Sequence, residues 1–399
     1  MNRREFLAAA AGGLALGRMA WAQDAPRDVR ITRVVNFELE MTRPKHVGKN
    51  SYRHDHGPKA YDRLLRVYTN TGIDGCGTCS VGANECAKLL GRNPLDFFDA
   101  ESRKMTGPLG RFTSPLWDLV GKILGKPVWQ LLGAAGPRDV GVYDGSIYFT
   151  DLRPQFVTGW QDEFRRELDA SIAAGHRGFK VKIGRGKLWM LAEEGYARDV
   201  AVVKLIREHV GPDILLGVDS NDGYDLERTK RFIKDTAECK LAFIEEMFQE
   251  SVPEYQALKS FMRDNGLNML VAAGENKRFP KDMKSWVESG AVDILQGDMN
   301  QFGFEDILAE ADMARPYKAI IAPHNWGSLY GYYLQLHVGR AIQNFYHAEQ
   351  DPMTCPAVAT EGFEIKNGKV RMPESPGNRH GIRARRARDT RYAAYLARY

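Results

Sequence analysis

The sequence predicts an α/β protein: a (β/α) barrel of parallel strands preceded by a smaller α+β domain. Two observations carry that reading. From about residue 140 onward, eight short apolar runs recur at 141–149, 178–183, 214–218, 241–244, 268–273, 292–296, 318–322 and 345–348, with helical segments between them. Strands that alternate with helices build parallel sheets, and eight such units close a barrel. Nearly every run also ends in an ionisable side chain, the position at which barrels of this kind carry their chemistry. A doubly wound sheet is the competing topology, but Gly184-Arg185-Gly186 lacks the third glycine of the phosphate-binding turn that sheet uses.

Taken in order, the chain opens with Arg3-Arg4-Glu5-Phe6-Leu7, a small-residue apolar run over residues 8–17, and Ala20-Trp21-Ala22. A basic start, a short apolar region and an A-x-A site describe a cleavable signal peptide. The paired arginines resemble a twin-arginine signal, which predicts the twin-arginine export machinery as a partner, cleavage after Ala22 and a periplasmic destination for the mature chain. No run reaches the eighteen or so apolar residues of a membrane span. The formal charge of +5 falls to +3 without residues 1–22, which hold three arginines and one glutamate. Much of the remaining positive charge lies in an arginine-rich tail, read as a solvated helix, since no nucleic-acid-binding motif accompanies it. Five cysteines are too few and too odd in number for a disulfide scaffold. Cys76-x-x-Cys79 with Cys86 lacks a fourth zinc ligand, so these read as core thiols, with a disulfide left open in an oxidising compartment.

Residues 28–140 form the α+β domain. Strand character is expected at 29–40 and 64–71, with a turn at Gly72-Ile73-Asp74-Gly75 and a polar loop between Glu40 and Arg63. Helical patterns follow, through Leu116-Trp117-Asp118-Leu119-Val120-Gly121-Lys122 to a close at Leu131-Leu132-Gly133. The barrel occupies 141–355. Its helices show stripes such as Tyr196, Val200, Val203, Ile206 and Val210 at helical spacing.

The ends of the apolar runs define the candidate site. The second ends in Lys180-Val181-Lys182, the third in Asp219-Ser220-Asn221 and the fourth in Glu245-Glu246, followed by Glu275, Asp298, His324 and Glu349 for the remaining four. Side chains alternate along a strand, so Lys180 and Lys182 share the inward face, as do Asp219 and Asn221. Asp219, Glu245 and Glu275 would converge from three adjacent strands. Three carboxylates held together repel one another and raise each other's pKa, and a divalent cation relieves that. Hard oxygen donors with no Cys or His among them select Mg²⁺ over zinc.

Lysines lie on one side of this cluster and an Asp–His pair on the other. Asp298 can accept a hydrogen bond from one ring nitrogen of His324, leaving the other to act as a base. Lys180 crowds Lys182, and like charge lowers a lysine pKa toward the range where its neutral form takes a proton. A carboxylate substrate chelating the cation would lie between two bases. Mg²⁺, Lys180 and a protonated Glu349 would stabilise the enediolate left when the α-proton departs.

This order of residues resembles the mandelate racemase subgroup of the enolase superfamily, a pattern of Lys or His base with Mg²⁺ that is known for the superfamily. The resemblance covers nearly all of the mature chain and includes the Leu116–Lys122 segment. It implies a modified (β/α)₇β barrel under an α+β capping domain that the C-terminal segment, 356–399, returns to complete. It implies Asp219, Glu245 and Glu275 as metal ligands, Lys182 and the His324–Asp298 dyad as bases, Lys180 on the substrate carboxylate, Asn221 positioning substrate and Glu349 on the enediolate. The family often assembles through its capping domains, which implies a homo-oligomer. The sequence departs from the usual pattern where Glu-Glu-Pro reads Glu245-Glu246-Met247 and where Gly-x-Gly-Glu reads Gly75-Cys76-Gly77-Thr78. Gln296-Gly297-Asp298 and Pro323-His324-Asn325-Trp326-Gly327 are also idiosyncratic, which bears on substrate more than on chemistry. Specificity in the family comes largely from the capping loops. Arg43, Lys45 and His54 are thus candidates for the distal end of a substrate, with Tyr148 at the end of the first barrel strand as a further one.

Two bases permit racemisation or epimerisation of a hydroxy acid, and equally permit β-elimination. Dehydration of an acid sugar is the commoner outcome for this combination in the family, and the polar capping loop suits a polyhydroxylated carboxylate. A periplasmic sugar-acid binding protein without catalysis is the reading from another class; the intact base pair argues against it.

Overall fold

The computed structural model describes residues 28–378 and the backbone of 395–398; the signal-like segment lies outside them. Three antiparallel strands, β1 (Ile31–Val47), β2 (Gly57–Thr69) and β3 (Asp74–Thr78), begin the fold. The backbone of Tyr395–Arg398 adds a fourth strand on the free edge of β1. The expected polar loop between Glu40 and Arg63 is mostly strand: Glu40 pairs with Tyr61 and Met41 with Ala60. Leu39 and Met41 are buried while Glu40 and Thr42 are exposed, so the polar residues are one face of a two-residue alternation. Only residues 48–56 remain as a loop.

Helices α1 (Ala83–Ala87), α2 (Ser114–Ile123) and α3 (Val128–Leu132) pack behind this sheet. The α2 helix is nearly all buried because it lies between sheet and barrel. Its Asp118 accepts from Cys76 N at 2.9 Å, Lys122 Nζ at 2.7 Å and Asn378 N at 2.7 Å, tying β3 and the C-terminal segment to one side chain. All five cysteines are buried and free.

Eight parallel strands follow as β4 (Asp139–Ile147), β5 (Gly178–Lys182), β6 (Leu215–Asp219), β7 (Phe243–Glu245), β8 (Leu270–Ala273), β9 (Ile294–Leu295), β10 (Ile320–Ile321) and β11 (Ala348–Gln350). Neighbours in sequence are neighbours in the sheet. Pairing of β11 with β4, and a parallel bridge from Ile321 to Phe345, close the barrel. Between consecutive strands run α4 (Trp160–Ala173), α5 (Ala192–Val210), α6 (Leu226–Asp235), α7 (Val252–Asp264), α8 (Lys284–Glu288), α9 (Met299–Ala314) and α10 (Leu329–Ala341). Seven helices among eight strands make the modified (β/α)₇β barrel that the resemblance implies. Tyr143, Phe243, Ala272, Ile294 and Ala322 fill its floor, so the barrel is a packed core and its polar groups gather at the other end.

Candidate active site

Strand register builds the centre. Lys182 pairs with Asp219 and Asp219 with Glu245, so the ends of β5, β6 and β7 stand level. Glu275, two residues beyond β8, completes a row in which Asp219, Glu245 and Glu275 bring one oxygen each within 4.8 Å of the others. Asp219 and Glu245 are buried and Glu275 nearly so. Burial pushes Glu245 up to about 8, with Asp219 adding to the rise and Lys180 opposing it. Asp219 moves the other way. Burial alone would raise it, but contact with Lys182 and the charge of Lys180 hold it at about 2. The uniform rise expected for the trio is thus corrected: the lysines neutralise one end of the row. Glu275 Oε2 is buried with no hydrogen-bond partner among the described residues. Three carboxylate oxygens held this close, all hard donors, fit a divalent cation of the Mg²⁺ kind.

The two proton-carrying groups flank opposite ends of this row. On the Asp219 side, Lys182 Nζ donates to Asp219 Oδ2 and, at 2.9 Å, to Asn221 Oδ1. Burial would lower the Lys182 ammonium, but Asp219 and Tyr148 raise it above its ordinary value. The lowering expected from Lys180 is present and outweighed, because Asp219 is nearer and opposite in charge. On the Glu275 side, His324 Nε2 stands 3.4 Å from Glu275 Oε2 while Nδ1 meets Asp298 Oδ2 at 2.6 Å. Burial opposes its charge, yet Glu275 and the Asp298 hydrogen bond win and raise the imidazole to about 10.

Lys180 is fully buried, 2.6 Å from Glu245 Oε1 and 2.7 Å from Glu349 Oε1. The other oxygen of Glu349 accepts from Asn325 N at 3.0 Å. Both Glu349 oxygens therefore face donors, and the side chain stands beside Lys180 at the centre. Asn221, in the left-handed region at φ 44°, holds Lys182 and donates its backbone N–H to Asp219 at 2.8 Å.

The capping candidates fare differently. Arg43 is buried and donates to both oxygens of Asp351 and to the carbonyls of Gly57 and Lys59. Its donors are used in joining β1 to the chain after β11, so the structure gives it a clamping part. Lys45 pairs with Glu167 on α4 at 2.7 Å, again inside the scaffold. His54 is exposed and set edge-on to Trp189. Tyr148 does reach the centre, with its ring 5.3 Å from Lys182 Nζ.

Several groups at the site escape sequence reasoning. Glu246, buried at φ 40°, accepts from Asn221 Nδ2 at 3.3 Å and Asn276 Nδ2 at 3.0 Å, and burial with nearby Glu275 pushes it well up. Gln296 Nε2 donates to Glu245 Oε2 at 2.6 Å. The Glu245-Glu246 doublet and the Gln296-Gly297-Asp298 triplet were the available signals, but neither residue alternation nor charge says which neighbour faces in. His56 and Trp326 also stand over the Lys182 side, brought there only by tertiary folding.

With this geometry in hand, comparison with known proteins is decisive about family. Residues 163–386 match the enolase C-terminal domain-like family. The chain belongs to the enolase superfamily. Among similar members of the superfamily is the D-gluconate/D-galactonate dehydratase of Picrophilus torridus, 26% identical over 285 residues and covering 70% of each chain. A galacturonate dehydratase from Geobacillus sp., crystallised with D-galacturonate and 5-keto-4-deoxy-D-galacturonate, is 29% identical with a TM-score of 0.85, over 93% of this chain and 99% of that one. A mandelate racemase/muconate lactonizing protein from Geobacillus sp., complexed with magnesium and tartrate, is 30% identical with a TM-score of 0.84, over 90% and 95%.

Proposed function

We propose that this protein is a Mg²⁺-dependent acid-sugar dehydratase, removing the proton α to a substrate carboxylate and expelling the adjacent hydroxyl as water. The observation that carries this reading is the placement of Lys182 and His324 at opposite ends of the Asp219–Glu245–Glu275 row. Those three carboxylates would hold the cation, which when bound supplies a Lewis acid for the substrate carboxylate and takes over charge that Lys182 now balances. With Asp219 committed to the cation, Lys182 would lose the counter-charge that holds it protonated, and its neutral amine would take the α-proton. His324, held by Asp298 through Nδ1, delivers a proton from Nε2 to the departing hydroxyl oxygen. Lys180 places a fixed positive charge where negative charge develops, and Glu349 with Glu245 keeps it there. The curated and structural relatives that dehydrate gluconate, galactonate and galacturonate support elimination over racemisation.

The test is a panel of aldonates, uronates and aldarates in D₂O, with Mg²⁺ and with EDTA. Mg²⁺-dependent formation of a semicarbazide-reactive keto-deoxy acid is expected. Lys182→Met and His324→Asn should each cut turnover by roughly 10²-fold or more. Exchange of the α-proton without net product would favour an epimerase, and binding without exchange would favour a non-catalytic binder. We further propose export through the twin-arginine route, supported by Arg3-Arg4 and Ala20-Trp21-Ala22. Fractionation of cells expressing wild type and an Arg3→Lys/Arg4→Lys variant should find only the former in the periplasm.

A further inference from the structure

The loop between β1 and β2 ends at His56, whose ring meets two aromatic side chains from the barrel. It is edge-on to Tyr148 at 5.0 Å and to Trp326 at 5.3 Å, and those two rings stack on each other at 4.6 Å. Trp326 Nε1 stands 3.0 Å from His56 Nδ1. An indole nitrogen only donates, so Nδ1 accepts and the ring proton sits on Nε2. That Nε2–H is buried and has no hydrogen-bond partner among the described residues. The His56 ring packs edge-on to Tyr148, whose own ring stands 5.3 Å from Lys182 Nζ. Burial, with the charges of Lys182 and Arg43 adding to it, keeps the imidazole neutral down to about pH 3.

Buried donors without acceptors are rare in folded proteins, because desolvating the N–H is costly when nothing replaces its water. Here the scaffold has fixed the tautomer, excluded water and left the donor beside the proton-transfer centre. A carboxylate at this point would call for a cationic partner, whereas a neutral N–H set among aromatic faces suits a hydroxyl on a carbon chain.

We infer that His56 Nε2–H donates to a hydroxyl oxygen on the carbon chain of the substrate, making His56 a specificity-determining residue and Trp326 the positioning residue that holds its tautomer. This rests on the acid-sugar reading above. His56→Asn keeps an acceptor for Trp326 near the place of Nδ1 and removes the distal donor, while His56→Gln restores an N–H at about the reach of Nε2. On the acid sugar the wild type turns over best, His56→Asn should lose about tenfold or more in kcat/KM. The loss should vanish on one monodeoxy analogue of that substrate, and His56→Gln should recover part of it. In ¹⁵N-histidine spectra, His56 should show the Nε2–H tautomer, and Trp326→Phe should abolish that preference. An equal loss on every deoxy analogue, no loss at all, or an Nδ1–H tautomer would overturn the inference while leaving the dehydratase reading intact. A wild type silent across the whole panel would overturn the dehydratase reading and this inference with it.

Discussion

Lys182 touches Asp219 and Asn221, so its charge is balanced by a carboxylate that also belongs to the metal row. A residue at a strand end was legible from the alternation of Lys180-Val181-Lys182; which charge would dominate it was not, because pairing with Asp219 depends on strand register. Glu310 on α9 shows the same limit more sharply. It is fully buried, takes only Gly297 N at 3.1 Å, and burial pushes its carboxyl up to about 8. Between the unfolded value near 4.5 and that folded value, the native state holds a proton that the unfolded chain has lost. Stability therefore falls as pH rises through this window, by on the order of 4 kcal/mol. Glu310→Gln should flatten that slope. Urea midpoints at pH 5, 7 and 8.5 will check it, and parallel curves for the two proteins would refute the assignment.

At the scale of elements, β3 lies so close to α2 that only glycine fits between them. A Cβ on Gly75 would stand 2.4 Å from Pro115 O and 2.7 Å from Leu119 N. Gly75→Ala should cost about 1–3 kcal/mol through overpacking, read as a lowered urea midpoint. The departure at Gly75-Cys76-Gly77-Thr78 thus keeps both glycines for packing and changes only the residue that follows them. A second joint is the Arg43–Asp351 pair, whose side chains are 3% and 0% exposed. Arg43→Ala leaves Asp351 buried without its partner and should destabilise by about 3–5 kcal/mol, with Arg43→Ala/Asp351→Asn recovering much of the loss. If Arg43 read substrate instead, its removal would raise KM and leave the unfolding midpoint unchanged.

Across the whole molecule, the carboxylate row joins three barrel strands at one end while the capping loop closes over them. Ser51 Oγ donates to Asn221 O at 2.8 Å and Trp189 Nε1 to Asn50 O at 2.6 Å, so cap and barrel share the walls of the site. A cation bound only by the folded chain stabilises it by mass action. Mg²⁺ should raise the thermal midpoint of the wild type, EDTA should reverse the rise, and Glu275→Gln should abolish most of it. Calorimetry with and without the ion checks this independently of turnover. Among the described residues no helix is long and apolar enough to cross a membrane.

The sequence by itself determined the barrel, because period-two and helical apolar patterns are local, and it placed a charged group at the end of seven successive strands for the same reason. Asp219, Glu245, Glu275, Lys182, Asp298 and His324 follow from that arithmetic alone, and the structure brings all six together. Tertiary structure decided what local patterns do not encode. Arg43 and Lys45 turned inward to Asp351 and Glu167, residues 308 and 122 positions away. Glu349 was taken up by Lys180, and His56 gained its fixed tautomer from Trp326, 270 positions distant. A long polar side chain buried on folding takes whichever partner the assembled surfaces present, and that choice is made across the chain, where no periodicity reaches.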